Sequence, residues 1–362
     1  MGQSPDSSSY NEEGRGIPFF QGNADFGERN PVTRVWCDAP SKIANEDDIL
    51  ISVRAPIGAV NYASETCCIG RGLAAITPNL NRVSSEYIFW LLKGKNAELN
   101  SKGTGSTFKA INRKALEEIQ IPAISLEEQA AYAANLEAVY KIIQMRQQQL
   151  SALDDLTKAR FVEMFGDLRT NTNGWNILAF ENLTELITDG EHATPKRVEK
   201  GIYLLSARNI LNHSLQLEDV DYIDEDEYNR IAKRVVPREG DVLISCSGTV
   251  GRCCSVPADL KFQMVRSAAL LRFKPVINPV FAEYMITSDY LQEQINSSKT
   301  ASSQANLFQG KIAKLKGFAP PLELQEQFAV FVAQIDKSKA AIQKSLDETQ
   351  LLFDSLMQKY FG

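Results

Sequence analysis

The sequence predicts an α+β protein. Two α/β globular domains are separated by two long helices that pack as an antiparallel coiled coil, and the whole is pseudo-two-fold symmetric. Three observations carry this expectation: a set of internal repeats, two long segments free of helix breakers, and strand-like runs confined to the regions between them. PAISLEEQ at 122–129 returns as PPLELQEQ at 320–327, 198 positions later. DDILISVRAPIG at 47–58 returns as GDVLISCSGTVG at 240–251, with Asp48, Leu50, Ile51, Ser52 and Gly58 recurring at a constant offset of 193. Leu150, Leu156 and Phe165 recur as Leu346, Leu352 and Phe361 at an offset of 196. Three blocks in the same order mean a duplicated domain followed by a duplicated helix, and the period is far too long for a solenoid.

Residues 1–122 form the first globular domain. IPFFQG, DILISV and GLAAITP are short apolar runs bounded by Gly, Pro, Asn and Asp, the pattern of strands. Ser84 to Leu92 reads as a helix with serine at its start. Residues 123–168 are the central helix. Ser125 and Glu128 have capping-box spacing, and no Pro or Gly follows until Gly166. Leu136, Val139, Ile143, Leu150 and Leu153 recur at three- and four-residue steps, as a helix-pairing seam requires. Residues 169–320 repeat the globular texture, with YLLSARNI and DVLISCSG as strands, a strand then a helix over Trp175–Leu186, and a helix from Phe281 to Ile295. Residues 321–362 hold the second long helix, whose seam is Ile335, Ile342, Leu346, Phe353 and Leu356. Each helix has an apolar stripe to bury, and the two stripes are alike, so each is expected to cover the other.

Composition narrows the function. The formal charge of −6 argues against a nucleic-acid binder until it is divided along the chain. The two helical segments carry −3 and −2, while the globular segments carry −1 and 0 and can present basic faces. No apolar run approaches the ~18–20 residues of a bilayer span, and the first residues lack a secretory pattern. The expected location is the cytoplasm, with no membrane partner. Six cysteines without a CxxC spacing, and only two histidines, point to buried thiols rather than a metal site. No phosphate-binding loop, nucleophile elbow or methyltransferase motif is present. These absences argue against an enzyme.

The residues also resemble a known family. MGQSPDSSSYNEEGRGIPFFQGNADFG, ISVRAPIGAVNYASETCCIGRGLAAI, GTGSTFKAINRKALEEIQIPAISLEEQ and FVEMFGD are similar to a target-recognition domain and conserved helix of type I restriction-modification specificity subunits. TDGEHATP, LLSARNI, DVLISCSGTVG and APPLELQEQ resemble a second such domain. The resemblance implies that each domain reads one half of a split double-stranded DNA target. The helices would set the spacer and dock two modification subunits, with restriction subunits completing the assembly. It implies no cofactor on this chain, since S-adenosylmethionine, ATP and Mg would belong to the partners. Three alternatives stay open on the residues: a specificity subunit of a fused nuclease–methyltransferase, a coiled-coil scaffold that binds no DNA, or an enzyme with an unrecognised site. In the second half Trp175 to Asp189 precede Gly190, whereas Met1 alone precedes Gly2. The expectation from that difference is a shortened first domain or a misassigned start codon.

Phosphate contacts position and base contacts specify, so the DNA-binding candidates are polar residues on loops of the globular domains. In the first they are Arg54, Arg71, Lys102, Thr104, Ser106, Thr107 and Lys109. In the second they are Lys196, Arg197, Arg208, Asn209, Arg252, Arg266, Lys299, Ser302, Ser303 and Gln304. GTGSTFK and SKTASSQAN occupy matching places before the two long helices.

Overall fold

The computed structural model describes residues 1–105, 109–298 and 306–362. The chain forms two compact units, Met1–Gln148 with Gln343–Gly362, and Gln149–Ile342. The long helices, Leu126–Phe165 and Leu322–Phe361, each contribute one part to each unit.

In the first unit a five-stranded sheet has Trp36–Cys37, Ile17–Phe20 and Cys67–Ile69 at its centre. A three-stranded sheet places Ile49–Ser52 between Val60–Tyr62 and Leu73–Ile76. Helix Ser85–Gly94 buries Tyr87 through Leu92 without a break, because strands lie on one side of it and long-helix residues on the other. Trp90 meets Tyr140 edge-on at 5.3 Å and Phe353 at 5.7 Å. Tyr132 stacks on Tyr360 at 3.9 Å, so the two helix segments of this unit run antiparallel.

The second unit repeats the plan. Val242–Ser245 lies between Cys253–Ser255 and Ala268–Phe273 in a four-stranded sheet. A three-stranded sheet orders Asp221–Ile223, Ile202–Leu205 and Phe262–Met264. Phe161 and Phe165 pack on Phe328, and Asp154 is ion-paired with Lys339, again antiparallel.

The repeated phrases have a local cause. Ser52 Oγ donates to Pro56 O at 2.6 Å and accepts from Ala59 N–H at 3.0 Å. Ser245 Oγ does the same with Thr249 O and Arg252 N–H, at 2.6 and 3.0 Å. The loop so held closes at Gly58 (φ +89°) and Gly251 (φ +94°), in the left-handed region where a side chain is strained. Asp48 and Asp241 are buried and accept the backbone N–H three residues upstream, each at 2.8 Å. Their other partner differs: Thr77 for Asp48, Arg272 for Asp241.

The structure corrects several expectations. Phe281–Ile295 is two helices, Pro279–Thr287 and Asp289–Ser298, because Ser288 turns to extended backbone (ψ 150°). Trp175–Leu186 is a strand, Ile177–Ala179, a single turn, Phe180–Leu183, and then a second strand, Thr184–Asp189. The long-helix phrases also align differently. Gln129 corresponds to buried Gln325 and not to Gln327, an offset of 196 instead of 198. The capping box forms as expected, with Ser125 N–H donating to Glu128 at 3.0 Å and Glu128 N–H to Ser125 Oγ at 3.2 Å. All six thiols are buried and free.

Gly2 and Gly190 are equivalent. Gly2 N–H donates to Leu73 O at 2.8 Å, and Gly190 N–H to Ala268 O at 3.0 Å. A Cβ would lie 2.2 Å from Gly70 O at the first glycine and 2.4 Å from Met264 O at the second, so both positions require glycine. In the second unit Thr184–Asp189 pairs with Ala268–Phe273. Among the described residues, no strand pairs with the matching edge of Leu73–Ile76.

Candidate nucleic-acid interface

In the first unit, two loops and the residue after a strand end converge. Phe20 O accepts Gly70 N–H at 2.8 Å, and Val53 N–H donates to Gly72 O at 2.8 Å. Gln21, Arg54 and Arg71 follow these anchored residues and line one cleft of about 420 Å³ with Ser4, Asn23 and Asp25. Asp25 holds the loop by accepting from Gln21 N–H at 2.7 Å. Arg54 and Arg71 are exposed, and neither forms an ion pair among the described residues. Ala55 N–H donates to Lys109 O at 3.0 Å, and Thr104 and Ala110 exchange two backbone hydrogen bonds. Arg54, Thr104 and Lys109 are thereby brought onto one loop cluster. Lys102 sits half-buried beside Glu98 at 3.0 Å, and that hydrogen bond holds the Glu98 carboxyl below its usual range. Ser106 and Thr107 lie outside the described residues.

In the second unit the same backbone frame recurs. Val265 N–H donates to Leu205 O at 2.9 Å, and Cys246 N–H to Ser267 O at 2.7 Å. Ser206, Ser247 and Arg266 thus occupy the places of Gln21, Arg54 and Arg71. Arg266 is exposed and forms no ion pair among the described residues. Arg197 and Arg208 both reach Asp221, at 3.0 and 3.2 Å, and Arg208 also approaches Asp219. Lys196 is exposed, and Arg252 is half-buried. Asn209 is corrected. It is 1 % exposed, its oxygen accepts from Ser206, and its amide donates to Gln216 O and Asp219 O, which leaves nothing for a base. Lys299, Ser302, Ser303 and Gln304 lie outside the described residues.

Gln21 is not among the candidates read from the sequence because the local repeat offset there is 185, eight short of the 193 that aligns Asp48 with Asp241. The signal was the strand end itself, since PFF and YLL are both followed by a polar residue.

On the helices, Leu136, Ile143 and Ile335 are buried. Val139, Leu150, Leu153, Ile342, Leu346, Phe353 and Leu356 are half-buried.

A family model, the type I restriction modification DNA specificity domain, matches residues 2–154 and again 182–349. The chain belongs to this family. Membership assigns it to recognition domains and not to a catalytic class. The specificity chain resembles two Methanocaldococcus jannaschii proteins over part of their length. One, provisionally named the type I restriction enzyme MjaX specificity subunit, is 44% identical over 158 residues, 44% of this chain and 37% of that protein. The MjaIX specificity subunit is 31% identical over 149 residues, 41% of this chain and 34% of that protein. The matches therefore span about a third of those relatives. The EcoBI specificity subunit of Escherichia coli is 20% identical, covering 98% of this chain and 81% of its own. Among solved structures, a type I restriction-modification S subunit from M. genitalium aligns with TM-score 0.58 at 15% identity, covering 100% of this chain and 92% of that one. A chain from work on complex assembly and conformational transition of the type I system aligns with TM-score 0.59 at 17% identity, covering 99% and 93%. At such identities these two matches establish the fold.

Proposed function

We propose that the specificity chain reads a split sequence in double-stranded DNA, each unit taking one half. The observation that carries this is the duplicated frame at Val53–Gly72 and Cys246–Ser267, which presents different side chains at its rim. A shared scaffold with changed surface groups is what two readers of different half-sites need. The domain limits proposed for this role are 1–122 and 169–320, with the long helices as 123–168 and 321–362. The paired helices set the length of the unread spacer and dock two modification subunits. Those subunits supply the S-adenosylmethionine chemistry that methylates adenine, and restriction subunits with ATP and Mg extend the complex to cleavage. The chain itself binds no cofactor in this scheme, and it acts in the cytoplasm.

The near-neutral charge of the globular segments supports the reading when it is combined with exposed Arg54, Arg71 and Arg266. Cations on a mixed surface contact phosphates and release counterions, a binding term that salt weakens.

Methylome sequencing tests the proposal. Cells carrying this chain with its modification subunit are compared with cells carrying that subunit alone. A new methylated adenine within a two-part motif of fixed spacing is expected. A stable complex that adds no methylation, with no salt-sensitive duplex binding by the chain, refutes it.

A further inference from the structure

We infer that Arg71 and Arg266 are phosphate anchors common to both units, whereas Arg54 reads a base in one half-site only. The inference rests on the proposed reading of split DNA and assigns roles within it.

The duplication permits the division. The residue between the anchored N–H (Gly70 to Phe20 O, Val265 to Leu205 O) and the anchored carbonyl (Gly72 from Val53 N–H, Ser267 from Cys246 N–H) is arginine in both units. Gly70 and Leu73 flank Arg71, and Val265 and Ala268 flank Arg266, with the same hydrogen bonds: Leu73 N–H to Gly70 O at 3.1 Å and Ala268 N–H to Val265 O at 2.9 Å. Both guanidinium groups are exposed and form no ion pair among the described residues. A group that stays the same while the sequence being read changes is suited to the part of DNA that does not change, the backbone.

The neighbouring position differs. Arg54 follows Val53, whose N–H is bound to Gly72 O. Ser247 follows Cys246, whose N–H is bound to Ser267 O. Arg54 is exposed, lines the cleft with Arg71 and Gln21, and has a backbone bridge to Ala110 that fixes where its side chain starts. A planar two-donor group can bind O6 and N7 of guanine together, which serine cannot. The serine at position 206 likewise stands where the first unit has Gln21, so the cleft of the first unit carries longer polar arms on the same frame. The cleft's one acidic lining residue, Asp25, accepts the N–H groups of Gln21 and Gly22 through Oδ2 and forms no ion pair with either arginine among the described residues.

The test uses the complex with the modification subunit and reads the methylated motif together with duplex binding across salt. With Arg54→Ala, one base position in one half-site should relax by on the order of tenfold or more, with the other half-site unchanged. Arg54→Gln should shift preference at that same position toward adenine. Arg71→Ala and Arg266→Ala should each weaken binding to all sequences alike and reduce the slope of log affinity against log salt by about one. An unchanged motif in both Arg54 variants overturns the base-reading role. So does a uniform loss at every sequence in the soluble, folded Arg54→Gln complex. A changed base preference in Arg71→Ala or Arg266→Ala overturns the anchor role. Absence of any two-part motif in the parent complex instead refutes the reading on which the inference rests.

Discussion

The side-chain oxygen of Gln325 accepts the backbone N–H of Asn278 at 2.8 Å. Its amide donates to Pro320 O at 2.7 Å and Val276 O at 3.0 Å. Gln129 makes the equivalent set with Ser84 N–H, Ile124 O and Arg82 O. One buried glutamine at the start of each long helix therefore joins three backbone groups from two loops. This is the physical content of the phrase that occurs twice in the sequence.

Removing that amide leaves the buried Pro320 carbonyl without its partner, at about 1–3 kcal/mol, and loses two further bonds to the part-buried backbone of Asn278 and Val276. Gln325→Ala is expected to lower the unfolding free energy by roughly 2–3 kcal/mol in urea denaturation. Gln327→Ala, at the position the bare sequence match would choose, is exposed and should stay within about 0.5 kcal/mol of the parent. Equal effects from the two variants would contradict the alignment at an offset of 196.

Burial pushes the thiols of Cys67 and Cys246 up to about 12, from 9.0 in an open chain. The Cys253 and Cys254 thiols are raised by burial as well. A proton held more tightly in the folded state stabilises it fully below about pH 9. That contribution is lost as pH rises through the folded values near 12. The urea midpoint should therefore fall steadily above about pH 9, and replacing Cys67 and Cys246 with Ala should flatten that fall. At pH 8 the native chain should resist a thiol reagent, with all six thiols reacting only after denaturation.

The proposed ruler role predicts a shift in spacing. Seven residues inserted into both long helices lengthen each by ~10 Å and keep the seam nearly in phase. At ~3.4 Å per base pair, the unread spacer of the methylated motif should grow by about three base pairs. A motif methylated with its original spacing would show that the helices do not set it.

Much of this architecture was legible in the chain. Alternating and continuous apolar runs placed the central strands, since Ile49–Ser52 and Val242–Ser245 are covered on both faces and their sequence shows it. The capping box at Ser125 and the left-handed Gly166 bound the central helix locally. What escaped depended on distant partners. Ser288 breaks a helix that Phe281–Ile295 periodicity would continue, and Thr184–Asp189 is a strand because Ala268–Phe273 offers it an edge.

The same division holds for the interface. The sequence by itself determined the duplication, the long helices, the lack of catalytic motifs and a pool of exposed cations, because these are properties of residue type and local spacing. Only the tertiary structure decided which of those cations stand together. Arg54, Arg71 and Gln21 are separated along the chain and meet because strand ends bring their loops to one cleft. Asn209, a polar loop residue by composition, is consumed inside its own turn by carbonyls that folding places around it. Arg197 and Arg208 share Asp221 for the same reason. Composition supplies donors, but their freedom to meet DNA depends on what the fold has already set against them.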